Sequence, residues 1–251
     1  QISKLRFFIS LIVDQKVNDS KPNRNILSMP NLETKFVAAN TLIGLEKPQQ
    51  MTLMAGDVEH LEKELASIRH KIFFTRKYSA KKALKKKEKE KREELQTALT
   101  QSGFSKNVAG QIAGWNPFDP MQSAKFFDPE TMFGFGGGFD VVIGNPPYHQ
   151  LSKDPSASNE YKAYLKQRFG TSGGRLNTFI FFTHIGIELM KPKGIITYII
   201  PNTILTQDYY KDTRKLLLEK TVLNQIVSYD KLPFENAVVE NITFFAIKYI
   251  A

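Results

Sequence analysis

The chain has 251 residues, no cysteine and a net charge of +10. Its length can bury one sizeable core, while its composition excludes disulfides and thiolate metal sites. The four histidines, His60, His70, His149 and His184, show no ligand spacing, so no metal is expected. No apolar run approaches the length of a bilayer span and no signal peptide is visible, so no membrane partner is expected and the expected setting is the cytoplasm.

The charge is concentrated. Between Lys71 and Arg92 stand eleven Lys/Arg against two Glu, and the rest of the chain, with 24 basic and 23 acidic residues, is almost neutral. Any argument for a polyanionic partner is therefore an argument about that segment.

Ile2 to Val13 reads as a mostly buried helix, with Ile2, Leu5, Ile9 and Ile12 along one face and Phe8 and Leu11 widening it. A polar loop follows to Asn31. Thr34 to Ala39 reads as a short strand ending at Asn40, a residue that suits a turn cap. From Asp57 the spacing changes: Val58, Leu61, Leu65, Ile68 and Ile72 form a heptad seam, open to a partner helix. The seam fades near Thr75 to Ser79, and Leu95 and Leu99 resume an apolar face. Residues 57–100 are predicted as a helical arm, either one long helix or a hairpin broken near Ser79. Lys81 to Arg92 is a solvated helix face with i,i+4 pairing or, on the sharper reading, a phosphate-contacting arm led by Lys81, Lys82, Lys85 and Lys86. Residues 101–138, rich in Pro and aromatics, are predicted as packed loop with short helical turns. Gly134-Phe-Gly-Gly-Gly138 precedes a strand rather than joining a strand to a helix, so it reads as a turn and not a cofactor loop.

Phe139-Asp-Val-Val-Ile143 is predicted as a buried strand covered on both faces, running into the stiff turn Gly144-Asn-Pro-Pro-Tyr148. In an open α/β sheet ligands sit at the carboxyl end of such a strand. The two prolines fix φ and remove two donors, leaving carbonyls that can only accept. The Asn145 side-chain oxygen and the Pro146 carbonyl could hold both N–H groups of an exocyclic amine, and Tyr148 could stack on its ring. Such a set methylates an amine by positioning and electrostatics, without a strong general base.

Beyond the turn, residues 149–174 form a polar loop, a lid or an ordinary surface loop, with Tyr161 and Tyr164 on a helix. Asn177 to Met190 is an apolar helix, Ile195 to Ile200 a buried strand, Tyr209 to Lys220 an amphipathic helix and Leu223 to Tyr229 a strand. Asn241 to Tyr249 is a last strand, expected to be antiparallel. The alternation predicts a doubly wound α/β domain.

Asn145-Pro-Pro-Tyr148 resembles the catalytic motif of S-adenosylmethionine-dependent N6-adenine DNA methyltransferases. Residues 30–43, Trp115-Asn-Pro-Phe-Asp119 and Phe126 to Gly134 resemble stretches of the type IIG restriction–modification members of that family. The resemblance implies an α/β fold, a partial Rossmann-like methyltransferase sheet with an inserted helical arm. It divides the chain into 1–46 (an N-terminal part of the methyltransferase domain), 47–103 (the basic arm) and 104–251 (the catalytic part). It implies S-adenosylmethionine as cofactor, double-stranded DNA as partner, bacterial restriction–modification or phage defence as role, and Asn145, Pro146, Pro147 and Tyr148 as catalytic residues. Phe234 matches the aromatic that stacks on the flipped base opposite Tyr148; otherwise it is core. Asn40 matches the residue that bonds the cofactor's adenine, and Asn145, Asn177 and Phe179 fall where the cofactor pocket is lined. The family's glycine-rich cofactor loop, its ribose-gripping acid and its target-recognition domain are not matched by residues 1–251. The chain is thus expected to be a piece of a longer protein that alone binds cofactor weakly and transfers no methyl group. A protein-glutamine or RNA methyltransferase, or a non-catalytic DNA- or partner-binding module, is the alternative.

Overall fold

A computed structural model describes residues 2–27, 29–46, 55–119, 121–134, 136–170, 176–230 and 239–250. The chain forms two compact units, 1–136 and 137–251.

The first unit is helical. Helix α1 (Ile2–Val13) forms as its periodicity predicts, but none of its residues is buried; Ile2, Leu5 and Ile9 are more than half exposed. The expectation of a buried helix is corrected. An apolar stripe fixes which face seeks a partner and not what covers it. The expected strand at 34–39 is corrected too. Leu32–Thr34 is a 3-10 turn, and among the described residues only one parallel bridge, Ala39 to Ala124, ties the segment down.

Helices α2 (Ala55–Phe74) and α3 (Tyr78–Gln101) pack as an antiparallel hairpin, broken at 75–77, close to one of the two expected forms. The break has a chemical cause. Asn31 accepts the Lys81 ammonium, while its side-chain amide donates to the Ile72 and Thr75 carbonyls at 2.6 and 2.7 Å and its backbone N–H to that of Phe73. One residue thereby satisfies two of the orphan carbonyls of the α2 terminus, those of Ile72 and Phe73. The heptad seam is buried along its whole length, packed within the unit, so it is not free for a partner helix, and that expectation is corrected. Helix α4 (Lys106–Gly114), N-capped by Ser105, closes the core. The short α5 (Pro129–Phe133), N-capped by Asp128 with Pro at its first turn, adds Met132.

Three buried charges cross this core. The Glu88 carboxylate is fully enclosed; one oxygen accepts from Arg69 at 2.8 and 3.0 Å, the other from Arg92 at 2.9 Å. Arg69 also donates to the Thr131 carbonyl and stacks on Trp115, and Arg92 donates to the carbonyls of Ala113 and Trp115. Removing one partner of such a set strands the others in a low-dielectric interior. Glu88→Gln keeps the shape and loses the charge; it is expected to destabilise the chain by about 3–5 kcal/mol in urea unfolding, and a change below about 1 kcal/mol would refute the role.

The second unit is a four-stranded sheet of β1 (Phe139–Gly144), β2 (Met190–Pro201), β3 (Thr221–Ser228) and β4 (Asn241–Lys248), in the order β1-β2-β4-β3. β1 and β2 are parallel, and β4 runs antiparallel to both its neighbours, as its sequence suggests. The connections carry α6 (Asn159–Phe169), α7 (Thr178–Leu189) and α8 (Lys211–Lys220). α7 packs on β1 and β2, and α8 on α7 and β3. Ile196, Tyr198, Ile200, Phe244 and Ala246 are buried. Val141, Ile143 and Ile195, which alternate with or register against the opposite side chains, are exposed. The expectation that Phe139–Ile143 is covered on both faces is therefore corrected: the face that carries Val141 and Ile143 is open. Two glycines set its start. A Cβ at Gly138, whose φ is +80°, would lie 2.7 Å from the Lys191 nitrogen, and one at Gly194 would lie 2.8 Å from the Phe139 carbonyl.

Glu188 of α7 ties α6 to α7. Hydrogen bonds from His184 and from Arg168 hold its carboxyl down at about 2, against partial burial that opposes them. A depressed carboxyl contributes stability above its ordinary value near 4.5 and loses it as pH falls toward 2. Acid unfolding followed by circular dichroism should show that loss between these limits, and Glu188→Gln should flatten the curve there.

Candidate active site

β1, β2 and β3 run the same way, so their carboxyl ends share one edge of the sheet: Gly144 registers with Tyr198, and Pro201 and Ser228 with the first residues of β4. The corner 145–148 leaves the sheet there. Pro146 and Pro147 cannot donate to a ladder, so the strand ends where they begin. Gly144 lets this edge lie close on β2. A Cβ there would lie 3.0 Å from the Tyr198 ring, and one at Gly186 of α7 would lie 2.7 Å from the Tyr198 hydroxyl. Burial pushes the Tyr198 phenol up to about 12, so it remains neutral.

The corner is held from behind by the first turn of α7. The Thr178 hydroxyl donates to the Pro147 carbonyl at 2.5 Å and accepts from the His149 N–H at 3.0 Å, while the Thr178 N–H donates to the His149 carbonyl at 2.9 Å. The pairing continues with a bridge between Gln150 and Asn177 and a bond from Leu151 to Leu176. Thr178 is buried, so these bonds do not compete with water.

Tyr148 is fixed at two points. Its hydroxyl donates to the Ile199 carbonyl at 2.8 Å, and its ring meets Phe179 edge-on, at 6.3 Å and 87°. Burial first, and then the nearby Tyr229, push its phenol up to about 12. It is a permanent donor at neutral pH and not a base. Asn145 is exposed. Among the described residues neither its side chain nor the Pro146 carbonyl has a hydrogen-bond partner. The corner thus offers two uncommitted acceptors beside a half-buried, locked aromatic ring.

The other expected site residues are placed as follows. Asn177 N-caps α7 through a long 3.4 Å bond from Phe179, and among the described residues its side-chain N–H groups have no partner. Phe179 is fully buried between Tyr148 and Tyr210 and backs the corner. Asn40, in the first unit, accepts from the Leu42 N–H within a turn. Phe234 lies outside the described residues. On α3, Lys81 and Lys85 turn to Glu33 (2.7 and 3.6 Å), whereas Lys82 and Lys86 are exposed, with Lys86 3.8 Å from Glu90. The sequence reading missed Thr178; its signal was a second polar residue after Asn177 at the head of an apolar helix. It also missed His149, whose ring bonds Asp154 at 2.7 Å. Hydrogen bonds from Ser156 and from that histidine hold the Asp154 carboxyl well below the usual range.

The profile of the Eco57I restriction-modification methylase matches residues 1–234. The chain is 30% identical over 95 residues to the type II restriction enzyme and methyltransferase RM.Eco57I of Escherichia coli, a match covering 36% of this chain and 9% of that protein. It is 32% identical over 90 residues to the modification methylase CviBIII of Paramecium bursaria Chlorella virus NC1A, covering 36% of this chain and 21% of that one. The matches therefore span a small part of these relatives' length. A solved structure from Listeria monocytogenes, described as a candidate class I S-adenosylmethionine-dependent methyltransferase, is 14% identical, with a TM-score of 0.37, over 58% of this chain and 41% of that one.

Thr178→Val preserves shape but strands the Pro147 carbonyl and the His149 N–H. It should cost about 1–3 kcal/mol and speed hydrogen exchange at the His149 amide, while Thr178→Ser restores both. Unchanged exchange in Thr178→Val would refute the clamp.

Proposed function

We propose that this chain, which belongs to the Eco57I restriction-modification methylase family, carries the base-gripping corner of an S-adenosylmethionine-dependent methyltransferase acting on N6 of adenine in DNA. The observation that carries this reading is the pair of uncommitted acceptors, the Asn145 side-chain oxygen and the Pro146 carbonyl, at the carboxyl edge of the parallel strands.

The N6 lone pair of adenine is delocalised into the ring, and the nitrogen carries two N–H donors. Asn145 and Pro146 accept one each. That pulls the nitrogen toward a tetrahedral shape and turns its lone pair out of conjugation. Tyr148 offers its free ring face to the base, held in place by Ile199 and Phe179. Phe234 is the proposed opposite face. The target must leave the duplex to reach such a corner, and its unstacking is offset by this stacking. As the new N–C bond would form, the donor's methyl–sulfur bond would break with its electron pair left on the sulfur, and the nitrogen, now carrying the positive charge, would shed a proton through its bond to Asn145 or Pro146. Neither is a base, so the proton passes on to water.

S-adenosylmethionine, when bound, supplies a methyl group on a positively charged sulfur. The polar set suits it: Asn177 has side-chain donors to give, and Asn145 adds an amide beside the acceptors. Asn40 is the proposed contact to its adenine, and Phe179 acts through Tyr148. Lys82 and Lys86 are the α3 lysines proposed to meet DNA phosphates.

The test is Asn145→Ala in the protein that contains this chain, with labelled methyl transfer assayed side by side on DNA, RNA and protein. N6-methyladenine in DNA, measured by mass spectrometry of nucleoside digests, should fall by about 10²–10³-fold or more. Unchanged methylation, or transfer only to RNA or protein, would overturn the reading.

A further inference from the structure

A second polar site lies in the first unit, and it does not depend on the function proposed for the corner. Between α2, the 3-10 turn at 32–34 and the end of α5 is a cavity of about 300 Å³, lined by Thr34, Lys35, Ala66, Ser67, Arg69, His70, Met132, Phe133 and Gly134. Three of these side chains are basic, two carry hydroxyls and none is a carboxylate. The volume is roughly ten times a water molecule's share of the liquid, room for a tetrahedral anion with part of its hydration shell.

Two observations give the cavity its sign. Arg69 is 7% exposed, and among the described residues the one carboxylate it pairs with, Glu88, is shared with Arg92, which is equally buried. The buried trio thus carries one more positive than negative charge, and burial already pushes the Arg69 guanidinium down. An anion near Arg69 would balance a charge for which the core supplies no second buried carboxylate among the described residues. Thr34 supplies the second observation. It is 4% exposed, and among the described residues its hydroxyl has no hydrogen-bond partner. A buried hydroxyl without a partner costs stability, and an oxyanion in the cavity would accept from it. The acid next to Thr34 in sequence, Glu33, is engaged by Lys81 and Lys85 and does not line the cavity. Gly134 closes the wall: a Cβ there would lie 2.4 Å from that of Ala66.

We propose that this cavity binds a phosphate group, held by Thr34, Lys35, Arg69 and His70. The group belongs to a free phosphate or to a phosphodiester of a nucleic-acid backbone; the donors are the same for both.

The test is calorimetric titration of the full chain with inorganic phosphate, at constant ionic strength against chloride, and separately with a short DNA duplex. Arg69 is left intact because it holds the core. Thr34→Val, which removes only the hydroxyl, and Lys35→Gln, on the cavity rim, should each weaken phosphate binding by about tenfold, with circular dichroism unchanged. If duplex affinity falls in parallel, the group is a phosphodiester. If the duplex is unaffected while inorganic phosphate binding falls, the group is a free phosphate. No phosphate binding, or binding that is the same in both variants, as attachment to the exposed lysines of α3 would be, overturns the proposal.

Discussion

A single hydroxyl holds the corner of the second unit. The prolines make the turn after β1 stiff, but stiffness alone does not orient it; a rigid corner on a free hinge would point anywhere. Thr178 removes the hinge by taking the Pro147 carbonyl and the His149 amide together, from the first turn of a helix that itself packs on β1 and β2. Among the described residues the Pro146 carbonyl is left over, and so is the Asn145 side chain. Those leftovers are the groups proposed to grip the substrate, and the bonds at Pro147, Tyr148 and His149 hold still the corner that carries them.

The first unit follows a different logic. Its core is apolar along the seam of α2 but is crossed by a carboxylate between two guanidiniums. Such a trio adds little net stability compared with well-packed hydrocarbon; what it fixes is register, because Arg69 and Arg92 also reach the carbonyls of Thr131, Ala113 and Trp115. α2, α3, α4 and α5 can slide past one another only by breaking charge-assisted bonds that water cannot replace.

Much of this was legible in the sequence, and the divisions are physical. Residues 139–148 read correctly as strand and turn, because a β-rich run stopped by two prolines has few other conformations. Helices α2, α7 and α8 followed from periodicity, and the direction of β4 from its place at the end of the alternation. Burial was misread where it depended on neighbours: α1 and β1 have apolar residues whose cover no local pattern reveals. The segment at 34–39 has strand-like composition, but a strand exists only through a ladder, and it makes a single bridge. The partners of Asn31 and Thr178 were hidden for a related reason. Each acts on backbone groups, Asn31 about forty residues away and Thr178 about thirty, and backbone groups have no letter in a sequence.

The sheet order also carries a kinetic consequence. β4 is the last strand among the described residues, yet it lies between β2 and β3. During synthesis β2 and β3 emerge first and have nothing to join them, since each pairs with β4 and not with the other. The sheet therefore zips up only after residue 248 clears the ribosome. Until then the facing edges of β2 and β3 present unpaired N–H and C=O groups, which makes this half of the chain a late folder.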